Sequence, residues 1–250
     1  MNTATFDYTG ANVLVTGASS GIGHAIATAF ADAGAKVIGT GTRPGVEDYP
    51  DTDLRAITYR QCHLADPDSI AALVESLGEL DILINNAGGP YPTRKDEWTP
   101  EGYVDSVTAN MFGPARITLG CHELLKASTT PGGASVVSIV SMSAFRAAAS
   151  VPGYGSSKAG LVSFTMDLAN RWAADGIRVN TVAPGFIDTR LTHPALGIPQ
   201  VMDFEVGFHT PLNRPGTAQD CVGAVLFLCS ASASYITGTS VPVDGGYLTV

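Results

Sequence analysis

The chain has 250 residues, 45% of them hydrophobic and 15% charged, with a net charge of -9. That apolar content supplies a sizeable core for one large domain and argues against disorder. The acidic balance excludes a phosphate-neutralising nucleic-acid surface, and no apolar run is long enough to span a bilayer.

The first residues carry no basic region followed by an apolar stretch, which predicts no secretory leader. "NVLVTG" (12–17) reads as a buried strand, and "GIGHAIATAFADAG" (21–34) as a helix ended by Gly34. "KVIGTG" (36–41) is a second strand. The interval after it, "TRPGVEDYPDTD", holds Pro44, Gly45 and Pro50 and is too broken for a full helix. A third strand, "AITYRQC" (56–62), precedes a helix over 67–77. "DILINNAG" (81–88) is a fourth strand, 101–126 a long helical region, and "ASVVSIVS" (134–141) a fifth strand. Then come a helix over 154–174, a strand "IRVNTVAPG" (177–185), a helix over 218–230 and a last strand, "TSVPVDGG" (239–246).

Strands that are apolar on both faces, alternating with helices, predict a parallel sheet covered on both sides. Right-handed crossovers then give a doubly wound α/β (Rossmann) fold with seven strands, as one domain over 1–250. The exception is the Pro-rich, apolar stretch at about 190–216, which reads as a lid over the substrate. Cys62, Cys121, Cys221 and Cys229 show neither CxxC pairing nor metal-ligand spacing, and the five histidines show none either. No metal site is expected, and unpaired thiols fit a reducing cytoplasm.

"TGASSGIG" (16–23) follows the first strand and opens the first helix. Backbone N–H donors at a helix start can hold a phosphate, and glycines let it approach the backbone. Gly17, Ser19, Ser20, Gly21, Ile22 and Gly23 are therefore candidate cofactor contacts. The GxxxGxG spacing, "NNAG" (85–88), Asn110 in "NMFG", Ser141, the YxxxK pair Tyr154 and Lys158, and "RVNTVAPGFIDT" (178–189) occur in that order. Together they resemble the short-chain dehydrogenase/reductase family, nearest its 3-oxoacyl-carrier-protein reductases, from about Asn12 to the C-terminal "VDGG".

Lys158 lies one helical turn after Tyr154, so both project from one face. A free phenol titrates at a pKa of about 10, and a neighbouring ammonium is expected to lower that value. The phenol can then serve as general acid and base. The resemblance implies that Ser141, thirteen residues before Tyr154, orients the substrate oxygen and that Asn110 holds a water of a proton relay. Ser138 lies inside the strand. Ser143 lies two residues further into the loop and joins Met142, Phe186 and Leu191 as a candidate substrate-pocket residue. The resemblance also places Asn86, Ala87 and Gly88 beside the adenosine-side ribose. It places Pro184, Gly185, Ile187 and Thr189 over the nicotinamide, and His63 and Leu64 at the adenine.

The second strand ends in Thr42, with Arg43 next, where NAD-selective relatives carry a carboxylate. No acid there repels a 2′-phosphate and a guanidinium can pair with it, so NADP(H) is favoured and NAD(H) stays open. The expected reaction is hydride transfer between a ketone and a secondary alcohol, on a small apolar substrate. Reduction of a 3-oxoacyl carrier protein is the alternative. Asp175 stands where such enzymes often carry an arginine, which disfavours an acidic protein partner. A non-catalytic cofactor-binding regulator is a third reading; Ser141, Tyr154 and Lys158 all being present speaks against it. The resemblance implies a homotetramer or homodimer with no nucleic-acid or membrane partner. The apolar outer face of 159–169 fits helix pairing between subunits, or core packing.

Overall fold

A computed structural model describes residues 4–250. The first half contains β1 (Asn12–Val15), α1 (Gly21–Asp32), β2 (Lys36–Gly41), β3 (Thr58–Gln61), α2 (Pro67–Glu75) and β4 (Ile82–Asn85). Next come α3 (Pro100–Val107), α4 (Gly113–Gly120), α5 (His122–Lys126), β5 (Ala134–Ile139) and α6 (Pro152–Trp172). The last part holds β6 (Ile177–Pro184), β7 (Ile187–Asp188), α7 (His193–Leu196), α8 (Pro199–Val201), β8 (Gly216–Thr217), α9 (Ala218–Cys229) and β9 (Ser240–Val243). Seven strands form one parallel sheet in the order β3-β2-β1-β4-β5-β6-β9, while β7 and β8 pair separately. The doubly wound, seven-stranded expectation is met.

Alternation along each strand feeds two cores. Val13, Val15, Ile82 and Ile84 point to the side covered by α1 and α9, with Ile26 and Phe30 fully buried there. Leu14 and Leu83 point to the other side, against Ile117, Leu125, Leu168 and Trp172. Fully burying one such side chain stabilises the fold by about 1.5–3 kcal/mol.

Helix starts follow local chemistry. Asp66 accepts the Asp68 N–H before α2, and Thr99 accepts the Gly102 N–H before α3, each with proline in the first turn. Thr217 and Asp220 form a reciprocal capping box at α9. Between β2 and β3 the chain makes only a 3-10 turn, Val46–Asp48.

The long helical region expected over 101–126 is divided into several pieces. A π-helical turn, Thr108–Phe112, separates α3 from α4. Pro114 has no N–H to give the Asn110 carbonyl, so the regular ladder breaks there. Among the described residues no helix is long and apolar enough to cross a membrane.

Candidate active site

Strand order reverses between β1 and β4, which opens a crevice at the carboxyl ends of the strands. A cleft of about 620 Å³ occupies it. Its lining includes Gly17, Ser19, Ser20, Gly21, Ile22, Thr42, His63, Leu64, Asn86, Ala87, Gly88, Ser141, Tyr154, Lys158, Pro184, Gly185, Ile187, Thr189 and Leu191. Residues over 170 positions apart in sequence thus meet on one surface. A groove of about 720 Å³ at the amino ends of the strands, lined by 5–12, 78–82, 127–131 and 229–232, holds none of them.

The glycine turn and the "NNAG" segment are locked together. Thr16 Oγ1 accepts the N–H groups of Asn86 and Ala87, both at 3.0 Å. Asn86 Nδ2 donates to the carbonyls of Thr16 (3.0 Å) and Gly17 (3.2 Å). Gly17 turns through φ +67°, and a Cβ there would lie 2.9 Å from Ala87 Cα. Ser20 precedes α1 without a side-chain capping bond, and His24 is the first residue to donate back, to Ser20 O at 3.2 Å. The N–H groups of Gly21, Ile22 and Gly23 are therefore free of helical partners. A cradle of this kind fits a diphosphate, so the residues present suit a dinucleotide.

The candidate acid–base group sits at the other end. Lys158 is 3% exposed, and its Nζ donates to the Ile139 carbonyl at 2.8 Å and lies 5.5 Å from the Tyr154 ring centroid. Burial pulls the Lys158 pKa down to about 8. Burial pushes the Tyr154 phenol up to about 12; the Ser141 hydroxyl beside it acts the other way, and the charge of Glu97 adds to the rise. The expected lowering by Lys158 is thus reversed, because desolvation of the phenolate dominates. Ser141 follows β5 and accepts the Ser143 N–H at 3.2 Å.

Several expected residues stand off the cleft. A Cβ on Gly23 would press into Asn86 Nδ2 and the Gly17 carbonyl, so this glycine serves helix-to-loop packing. Arg43 lies across the Tyr49 ring, 5.0 Å from its centroid, and donates to the Asp48 carbonyl. Asn110 is fully buried behind Gly88. Its Oδ1 accepts the Gly89 N–H at 2.8 Å, and its Nδ2 donates to the carbonyls of Gly89 (3.0 Å) and Ser106 (2.9 Å). Met142 and Ser143 are curled into a 3-10 turn, Met142–Ala144, whose N-cap is Ser141. Phe186 packs edge-on to Tyr247 and faces a separate depression of about 490 Å³ near Thr210 and Asp244.

Thr40, Cys62, Ala109, Ile139, Val140, Arg190 and Thr192 line the cleft without having been singled out. Most adjoin a predicted residue at a strand end, so the carboxyl-end rule applied strand by strand finds them.

A phosphate cradle, a crevice at the switch point and a half-buried Tyr154 beside a buried Lys158 define a dinucleotide-dependent oxidoreductase. Residues 17–248 match the family model described as Enoyl-(Acyl carrier protein) reductase. The chain is 33% identical to the 2-dehydro-3-deoxy-D-gluconate 5-dehydrogenase of Bacillus subtilis, over 97% of this chain and 96% of that one. It is 36% identical to the 3-oxoacyl-(acyl-carrier-protein) reductase FabG of Salmonella typhimurium, over 96% and 98%. The Pseudomonas aeruginosa RhlG/NADP active-site complex superposes with a TM-score of 0.88 at 28% identity, covering 99% and 100% of the two chains. The chain belongs to the short-chain dehydrogenase/reductase family, and is an NAD(P)-dependent oxidoreductase acting on CH–OH groups.

Proposed function

We propose that the chain interconverts a ketone and a secondary alcohol on a free small molecule, with NADP(H) preferred. The observation that carries this reading is the approach of Ser141, Tyr154 and Lys158 at one end of a cleft whose other end is the glycine cradle. Bound there, the nicotinamide cofactor supplies the hydride in reduction and accepts it in oxidation.

The chain's own residues divide the remaining work. The Gly21 and Ile22 N–H groups and Ser19 hold the diphosphate. Asn86, Ala87 and Gly88 border the adenosine-side ribose, and His63 and Leu64 the adenine. Pro184, Gly185, Ile187 and Thr189 border the nicotinamide. Ser141 orients the substrate oxygen. Tyr154, protonated at neutral pH because burial raises its pKa, gives its proton to that oxygen in reduction. Lys158 spends one of its three donors on Ile139 O, which leaves two for the ribose and for the phenolate that forms. Asn110 holds the Gly88–Gly89 backbone in place behind the pair.

The stretch over 190–216, with exposed Leu191, Ile198, Phe204 and Phe208, is the lid that covers an apolar substrate. A free substrate is favoured over a carrier-protein thioester by the surface around Asp175. Lys126 and His122 both point at that carboxylate, at 2.9 Å each. Exposed Phe112, Leu119 and Met166 on or next to α4 and α6 favour a homo-oligomer.

Thr42 at the tip of β2 leaves a 2′-phosphate unopposed, and Arg43 is the adjacent exposed cation, whose guanidinium swings off the Tyr49 ring to reach it. Arg43→Ala is expected to weaken NADPH roughly tenfold and to leave NADH within about twofold, by fluorescence titration. Equal effects on the two cofactors would remove Arg43 from the 2′-phosphate site. The function itself is tested by a panel of small ketones and secondary alcohols run in parallel with NADPH and NADH.

Ketone reduction should also fall as pH rises through about 8, where Lys158 loses its charge while Tyr154 keeps its proton. A kcat/KM profile flat well beyond that value would show that the ammonium is not required.

A further inference from the structure

We propose that Glu97 is the positioning residue of Tyr154: a buried carboxyl that fixes the backbone of the acid–base tyrosine and, through Ser106, the side chain of Asn110. This rests on the reading of Tyr154 as the acid–base group.

Glu97 is 1% exposed, in the segment between β4 and α3. Its Oε2 accepts the Tyr154 N–H at 2.8 Å, across 57 positions of sequence. Val151, the N-cap of α6, makes no side-chain cap, so Glu97 supplies one from a distance, where a negative group also suits the helix dipole. Gly153 makes room for it: a Cβ there would lie 2.8 Å from Ser106 Cβ and 3.2 Å from Glu97 Oε2.

The other oxygen faces the rest of the site. Glu97 Oε1 accepts the Ser106 hydroxyl at 3.0 Å, and Ser106 Oγ accepts Asn110 Nδ2 at 3.3 Å. A continuous chain of donors therefore runs from Asn110 through Ser106 to Glu97, which Tyr154 meets from the far side. Glu97 Oε1 also accepts the Tyr91 N–H at 2.9 Å. Tyr91 donates its hydroxyl to the Ser150 carbonyl, and the Trp98 indole donates to the Ala149 carbonyl at 2.7 Å. The carboxyl thus ties both walls of the α6 entrance to the same point.

Among the described residues no ion pair reaches Glu97. A carboxyl at this depth without a cation carries a desolvation penalty that filling space alone does not require. Its three backbone and hydroxyl donors are the compensation, and each lies on a segment that bears or borders the acid–base pair. Its negative charge also helps to keep the phenol protonated, the form that donates in reduction.

Glu97→Gln keeps the shape but turns an amide N–H₂ toward another donor. With NADPH and ethyl acetoacetate, its kcat should fall roughly tenfold to a hundredfold, while KM and NADPH affinity stay within about twofold. The Tyr154 titration followed by NMR of ring-labelled tyrosine should move to lower pH, because the charge of Glu97 no longer adds to the rise, while the alkaline limb set by Lys158 stays where it is. Ser106→Ala should show the same kcat-only loss in milder form, and it decides the matter if Glu97→Gln does not fold. Unchanged kcat and an unchanged Tyr154 titration in the folded variants, or a loss confined to thermal stability, would overturn the proposal. If Tyr154→Phe keeps wild-type turnover, the acid–base reading fails. If that variant is inactive and the Glu97 and Ser106 variants match wild type, only this inference fails. Should wild type reduce no ketone, the tyrosine titration still tests the Glu97 contact.

Discussion

Tyr154→Phe is expected to bind NADPH within about twofold of wild type and to lose ketone turnover by roughly a thousandfold or more. The substitution removes one hydroxyl and little else. The backbone N–H still reaches Glu97, and the ring still lies beside the Lys158 ammonium. Ser141 can still bond the substrate oxygen, but no nearby group carries a proton suited to it. Lys158 is held on Ile139 O and lies behind the ring. Binding by fluorescence titration and turnover by loss of NADPH absorbance separate the two effects. A variant that keeps half of the wild-type rate would mean that protonation comes from elsewhere.

Gly23→Ala is expected to lower stability by about 2–3 kcal/mol and to abolish measurable cofactor binding. The added methyl would press on a backbone carbonyl, Gly17 O, and on the Asn86 amide that bridges the turn to the fourth strand. Neither can retreat without opening the cradle. Gly223 in α9 is the control, because a Cβ there meets nothing within 4 Å. Gly223→Ala should stabilise by about 0.5–1 kcal/mol through helix propensity and leave cofactor affinity unchanged. Chemical denaturation of the two variants checks both signs. A Gly23→Ala protein as stable as wild type would contradict the packing account.

The fold was legible because its signals are periodic. Strands buried on both faces and helices with one apolar side alternate along the chain, and the parallel order follows from handed crossovers. The cradle and the Tyr154–Lys158 pair were legible because short local spacing determines which backbone or side chain faces the cleft. The division of the 101–126 region was less so. Its cause is Pro114 acting on Asn110, together with Gly113, where a Cβ would stand 2.6 Å from the Leu64 carbonyl.

Side-chain direction was hardest to read. Arg43 follows the tip of β2 as expected, but the Tyr49 ring, brought close by the 3-10 turn, draws its guanidinium aside. Met142 and Ser143 leave the cleft because Ser141 caps a turn of its own, and Phe186 because Tyr247 offers a ring to pack on. The phenol pKa moved opposite to a pairwise Lys–Tyr argument, because burial is a property of the whole site. Glu97 gave no sequence signal, since a lone acid between a strand and a helix reads as an ordinary loop residue until long-range bonds are seen.

The central claim is hydride transfer to a carbonyl with the proton from Tyr154. It is tested most directly with NADPH deuterated at the hydride-bearing carbon and a panel of small ketones, by locating the deuterium in the product. The account predicts deuterium on the carbinol carbon of at least one product, formed by wild type and not by Tyr154→Phe. NADPH binding with no labelled alcohol from any ketone, or equal labelling by Tyr154→Phe, would contradict it.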